Sequence, residues 1–336
     1  MNKYTLLLAL AAAAFSAGPR AQPSAVVEAV QYPAWLERGG STVPLAPGTT
    51  LQSNDRVRTG GNARVQVKLA EGSTVKLGEN AKVTIDRVEN RGIFRAALQV
   101  LGGAFRFTTE AAGKSRPRDV TIKVKNVTAG IRGTDLWGKS TDERDLVCLL
   151  EGKISVGAEG HPTVTLDTPL DFYQKPRDGA PQVAKVDQAQ IDQWAAETDI
   201  GKDGAAARAG GGWRVVAATF AKRDEALALN RRLRNAGYPA SVASGTKGFE
   251  VQVAGLAGEN EARTLMGNLR KEAGVSLPRV IARSSVKGRQ LGAPMAPLLL
   301  RWRVAGGKKT GGRWQAAGNS FSPKRFLPPA TCHLPP

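Results

Sequence analysis

Cysteine and histidine are nearly absent from this 336-residue chain, which has two of each. Structural and catalytic zinc sites need clustered thiolate, imidazole or carboxylate ligands. His161, in a Gly160-His161-Pro162 turn, and His333, near the end of the chain, supply no such set. No metal site and no cofactor are therefore expected. Cys148 lies inside an apolar run and Cys332 four residues from the end, so pairing them would pull the terminus into the core; a reduced, buried Cys148 is the simpler expectation. Long apolar runs are missing as well. The run from Tyr4 to Ala17 stops at Gly18-Pro19-Arg20, short of the about 20 residues that cross a bilayer, and no other segment is long enough. Asp and Glu occur throughout, yet no motif selects a pair for acid–base work, so no catalytic residue is assigned and a non-enzymatic protein is expected.

The opening of the chain reads as an export signal. Met1-Asn2-Lys3 is a short positive stretch, the apolar run follows, and Ser16 or Ala21 can precede a cleavage site, so residues 1–21 are expected to be a signal peptide. The mature protein is then exported and soluble, periplasmic where the host has two membranes. Charge is the other strong bias, at +19 overall. Residues 284–336 hold nine Lys or Arg and no acidic residue, without sustained periodicity, and are expected to be disordered. Arg301, Trp302, Arg303, Lys308 and Lys309 offer contacts to phosphate groups of lipid or to anionic wall polymers, the one place where membrane contact is expected. A loosely selected extension is the competing reading of that tail. Nucleic acid is not an expected partner, because export separates the two and no recognition motif accompanies the charge.

Between residues 213 and 283 one pattern is written twice, at an offset of 36 residues. Val215 answers to Val251, Ala217 to Val253, Ala226 to Ala262, Leu229 to Leu265 and Leu233 to Leu269. Each copy alternates apolar residues as a half-buried strand does, then spaces them by three and four as an amphipathic helix does. Two β-α-β units in about 70 residues imply the α+β ferredoxin-like arrangement, with four strands in one sheet, two helices on one face and the other face open. If Val215, Ala217, Val251 and Val253 face the helices, then Arg214, Val216, Glu250 and Gln252 face outward.

These residues, with Phe220, Asn230 to Leu233, Gly237-Tyr238 and Phe249 to Gly255, resemble the SPOR (sporulation-related repeat) domain over residues 211–283. The resemblance implies binding of peptidoglycan glycan strands that have lost their stem peptides, on the open sheet face. Trp213, Arg214, Ser241, Glu250 and Gln252 are the contacts it suggests here. Trp213 has a second reading as a core aromatic at a strand start. SPOR domains usually carry Gln where this chain has Val216, and often a basic residue where it has Glu250, which implies a weaker or differently tuned site.

Residues 25–173 show a different pattern, short alternating β-branched runs separated by glycine turns, and an all-β domain is expected. Arg64 to Leu69 and Thr74 to Leu77 alternate around Glu71-Gly72-Ser73, while Leu146 to Leu150 is apolar throughout and therefore central. Six markers in order, Pro44 to Leu51, Asp55 to Gly60, Glu71 to Leu77, Leu101 to Phe105, Gly130 to Asp135 and Leu150 to Val156, resemble the FecR-type periplasmic domain. In their best-known setting such domains relay a signal from an outer-membrane transporter to a cytoplasmic sigma factor. No anti-sigma segment and no membrane-spanning helix accompany the domain here, so the resemblance implies an envelope module with a protein or ligand partner. Within the Arg132-Gly133-Thr134-Asp135 marker, Gly133 is expected to permit a turn whose amides Thr134 and Asp135 satisfy, and Trp137 to be core.

Residues 174–210 read as a linker containing one short helix, Val186 to Glu197, with a loose Gly- and Ala-rich tether from Gly201 to Gly212. Two functions from different classes follow from the whole: an adaptor that docks on peptidoglycan and presents a β module, or a wall-remodelling enzyme or its direct activator.

Overall fold

The computed structural model describes residues 24–282 apart from 92, 110–117, 132 and 202–203. The expected signal peptide, the basic tail, Cys332 and His333 lie outside the described residues.

Alternation along the chain decides which side of each strand is buried. The strands β1 (Ala25–Gln31), β2 (Ala34–Arg38), β3 (Ser41–Pro44) and β4 (Arg56–Thr59) come first. In β5 (Arg64–Leu69), Val65, Val67 and Leu69 are buried while Arg64, Gln66 and Lys68 are half-buried. Gly72, at φ +104°, turns the chain into β6 (Ser73–Leu77). A long hairpin of β7 (Lys82–Arg91) and β8 (Ile93–Thr109) follows. Beyond it lie β9 (Arg118–Val124), β10 (Val127–Ile131), β11 (Asp135–Ser140), β12 (Arg144–Glu151), β13 (Ile154–Ala158) and β14 (Val164–Leu166).

β8 serves two sheets. Its first half pairs with β7 and, in parallel, with β9, in the order β3-β2-β4-β7-β8-β9-β10-β13-β14. Its second half pairs with β6 and β11 in the other sheet. The change occurs at Gly102-Gly103, where Gly103 has φ +80° and an added Cβ would come within 2.5 Å of Ala81 Cα, so only glycine fits. A core of β-branched and aromatic side chains, including Val27, Val65, Phe105, Phe107, Ile122 and Val156, fills the interior.

β12 is central, as its unbroken apolar run predicts, with β11 on one side and β15 (Asp171–Pro176) on the other. Val147 and Leu149 join the main core while Leu146 joins a second cluster with Ala104 and Trp137. Cys148 is fully buried and free, and burial, with Asp171 nearby, pushes its thiol up to about 12. Asp135 departs from expectation. Its carboxylate accepts from Arg106 Nε at 3.0 Å and Nη2 at 2.7 Å and from Thr108 Oγ1 at 3.2 Å, so it ties neighbouring strands together rather than satisfying turn amides. Gly133, at φ +71°, does take the left-handed turn conformation.

The expected loose tether is replaced by packed structure. β16 (Gln182–Lys185) pairs with β15, and α1 (Gln188–Thr198) is capped by Asp187, which accepts from the Gln190 amide at 2.8 Å. Trp194 of α1 stacks on Trp137 with centroids 4.5 Å apart and planes 5° apart, and meets Phe172 edge-on. Lys76–Asp199 and Lys139–Glu197 ion pairs flank the helix. β17 (Ala206–Arg208) then adds to β1 and bridges onward at Ala207 to Leu256. Small side chains cause this: Ala205, Ala206 and Ala207 fit where the chain runs buried, and composition read as flexibility becomes close packing.

The remaining elements are β18 (Trp213–Phe220), α2 (Arg223–Asn235), β19 (Ser241–Gly245), β20 (Gly248–Leu256), α3 (Glu259–Ala273) and β21 (Arg279–Ala282). Their antiparallel order, β19-β20-β18-β21, is the ferredoxin-like order expected from the repeat. Ala226, Leu229 and Leu233 on α2 and Ala262, Leu265 and Leu269 on α3 are buried against the sheet with Val215, Ala217, Val251 and Val253. This half also meets the β domain through side chains and backbone. Tyr32 and Tyr238 lie 6.1 Å apart, Trp35 Nε1 donates to Asn235 O at 3.1 Å, and the Ala34 amide donates to Gly237 O at 3.2 Å.

Three outcomes are expected. Trp194→Ala removes the aromatic stack on Trp137 of β11 and costs about 2 kcal/mol in urea unfolding. Gly237→Val, at φ +86° and with an added Cβ 2.8 Å from Pro33 and Trp35, opens the contact between the two halves and speeds proteolysis near residues 204–212. In a Cys332→Ser background, Cys148 stays unlabelled by a thiol reagent at pH 8 until denaturant is added, because the reactive thiolate is suppressed.

Candidate functional site

An antiparallel sheet with helices on one side leaves its other side to solvent, and the register shows which side chains stand there. Ser241 pairs with Gln252, Gln252 with Val216 and Val216 with Arg279, a row crossing β19, β20, β18 and β21. In the next row Ala243 pairs with Glu250 and Glu250 with Thr219. On the other flank Ala254 and Ile281 pair with Arg214. Arg214, Ser241, Glu250 and Gln252 therefore share the open face.

Trp213 does not join them. It is half-buried, packs against the core and has the inward parity of Val215, so the structure takes the core-aromatic alternative. Val216 holds an outward position in the central row but is 0% exposed, so it offers a ligand no surface.

A register shift between Val216 and Ala218 alters the rest of β18. Continued alternation would turn Thr219 toward the helices and Phe220 outward. The bulge reverses this: Ala218 and Phe220 pack against the core, and Thr219 stands on the open face. There Arg279 Nη2 donates to Thr219 Oγ1 at 3.1 Å and to Glu250 Oε1 at 3.2 Å. Arg279 and Thr219 were not singled out from sequence. Strand order could have found Arg279, since the fourth strand of this fold lies beside the first; Thr219 depends on the bulge, which alternation does not announce.

The open face is thus a polar platform of amide, hydroxyl, carboxylate and guanidinium groups, suited to directional hydrogen bonds with a hydroxyl- and amide-bearing chain. The β domain offers a second polar surface. On β9, β10 and β13, Thr121, Lys123, Thr128 and Ser155 stand outward around Gly130, lining two shallow concavities of about 640 and 720 Å³. Among the described residues no group of His, Cys, Asp and Glu is arranged to hold a metal ion, and no helix is long and apolar enough to cross a membrane.

Comparison with known proteins matches residues 55–155 to FecR protein and residues 209–277 to the SPOR domain. A comparison with curated proteins finds no match. Two crystal structures of a candidate anti-sigma factor from Parabacteroides distasonis ATCC 8503 are similar. One is 15% identical over 42% of this chain and 64% of that one, less than two thirds of its length, with a TM-score of 0.36. The other is 12% identical over 65% of this chain and 91% of that one, with a TM-score of 0.37. SPOR domains imply peptidoglycan binding, FecR domains are regulatory or interaction modules, and both are typical of envelope proteins. The chain therefore carries a FecR domain followed by a SPOR domain.

Proposed function

We propose that this is an exported, non-enzymatic envelope protein that holds peptidoglycan through the open SPOR sheet and presents its FecR segment as an interaction module in a fixed orientation. The observation that carries the reading is the sheet itself: within a SPOR match, Arg214, Ser241, Glu250 and Gln252 stand together on a solvent face opposite the helices. Glycan strands stripped of stem peptides are the favoured ligand. A bare sugar chain can lie along a flat row of polar side chains that bulky peptides would hold at a distance.

The FecR segment is the side offered to a partner. Because β17 and the Tyr32–Tyr238 contact join the two halves, glycan bound on the sheet and a partner bound on the β domain stand in a set geometry. An envelope protein is the kind of partner proposed for it.

The purified chain, incubated with sacculi before and after amidase treatment, tests the glycan reading. Retention that rises with amidase treatment, survives 0.5 M salt (a Debye length of about 4 Å) and falls in Gln252→Ala supports it. Retention lost at high salt marks simple attraction to a basic chain and overturns it.

A further inference from the structure

We infer that Arg279 is the residue through which the sheet reads a free carboxylate on its ligand, and that Glu250 holds this guanidinium in a competing ion pair that sets how tightly the ligand binds. The inference rests on the reading of the open sheet as a glycan site and deepens it.

The chemistry starts from what an amidase leaves behind. Hydrolysis of the amide between the muramic acid lactyl group and the stem peptide releases the peptide amine and leaves a carboxylate on the sugar. A denuded strand therefore differs from an intact one by losing a peptide and by gaining a negative charge close to each muramic ring. A site that prefers the denuded form by more than steric fit needs a cation on its surface.

Arg279 stands in the central row beside Val216, diagonal to Arg214 and across from Gln252. Its side chain is 54% exposed. Of its three guanidinium nitrogens, only Nη2 is engaged among the described residues, and it serves both Thr219 and Glu250. That detail matters for carboxylate binding. A carboxylate docks on guanidinium by two parallel hydrogen bonds along one edge, and both such edges, Nε with Nη2 and Nη1 with Nη2, use an Nη2 hydrogen. With Thr219 taking one and Glu250 the other, a ligand carboxylate gains two-point contact only by displacing one of them.

Glu250 is the weaker holder against an anionic ligand. Its bond is single, 3.2 Å long and to a half-exposed partner, an arrangement of small net worth in water. An incoming carboxylate repels Glu250 and replaces its charge on Arg279, whereas Thr219 can stay and keep the guanidinium aimed. The position where related domains often carry a basic residue holds Glu250 here, and the basic group arrives from the adjacent strand instead.

The test uses the full chain with three preparations: untreated sacculi, amidase-treated sacculi, and amidase-treated sacculi whose carboxylates have been converted to primary amides with carbodiimide and ammonia. Wild-type chain is expected to prefer the carboxylate form over its amide. Arg279→Ala binds the carboxylate form on the order of tenfold more weakly and loses that preference. Arg279→Lys, which keeps the charge without the fork, retains part of it. Glu250→Gln raises the preference for the carboxylate form over the amide form about threefold. Circular dichroism of each variant confirms folding. Equal binding of carboxylate and amide forms by wild type, or a preference that survives Arg279→Ala, overturns the role of Arg279 while leaving glycan binding in place. A Glu250→Gln chain whose preference for carboxylate over amide does not rise overturns the competing pair. Failure of wild type to bind any of the three preparations overturns the glycan reading together with this inference.

Discussion

Three residues, Ala206 to Arg208, hold the two halves of the chain in one continuous sheet. They pair with β1 on one side and touch β20 at Leu256 on the other, and the approach is close enough that a Cβ on Gly211 would fall 2.2 Å from the Gly255 carbonyl oxygen. A few backbone hydrogen bonds are each worth only about 1 kcal/mol net. What makes the junction firm is that Ala205, Ala206 and Ala207 are buried with it, and that Tyr32, Trp35, Tyr238 and Gly237 pack at a second place. Two separate contacts suppress rotation that either one alone would permit.

From that junction the consequences run in both directions. Toward the amino terminus, β1 continues through β5 and β6 to the second half of β8, and through β8 into the other sheet, so the FecR segment is tied to the same framework. Toward the carboxyl terminus, β20 lies inside the four-stranded sheet whose outer face carries the candidate site. Among the described residues the helices of this half cover one face only, and the other face presents polar side chains on either side of the buried Val216. A binding surface arises here as the residue of an incomplete covering.

Much of this was legible from residue order. Alternation in Arg64 to Leu69 and the apolar run at Leu146 to Leu150 are local consequences of strand geometry, and the structure places both as read. The 36-residue offset implied two equivalent β-α-β units. Elsewhere local pattern was ambiguous. Gly201 to Gly212 has the composition of a tether, yet alanine is also the residue that lets backbones approach closely, and only the neighbouring strands β1 and β20 decide between those meanings. Trp213 was compatible with a ligand platform or a core position until the parity of Val215 and the packing of the sheet fixed it inward.

The sequence by itself determined the helix and strand faces and the outward placement of Arg214, Val216, Glu250 and Gln252, because periodicity is a property of the local backbone, while its motifs carried the resemblance to the two domain types. Tertiary structure decided the rest. The bulge between Val216 and Ala218 exchanges the faces of Thr219 and Phe220, and β21 brings Arg279 beside a strand 60 residues earlier, onto Thr219 and Glu250. Neither event leaves a periodic trace, since a bulge breaks the period and a strand neighbour is chosen by long-range packing. The ion pair at the centre of the candidate site is therefore a product of the folded sheet.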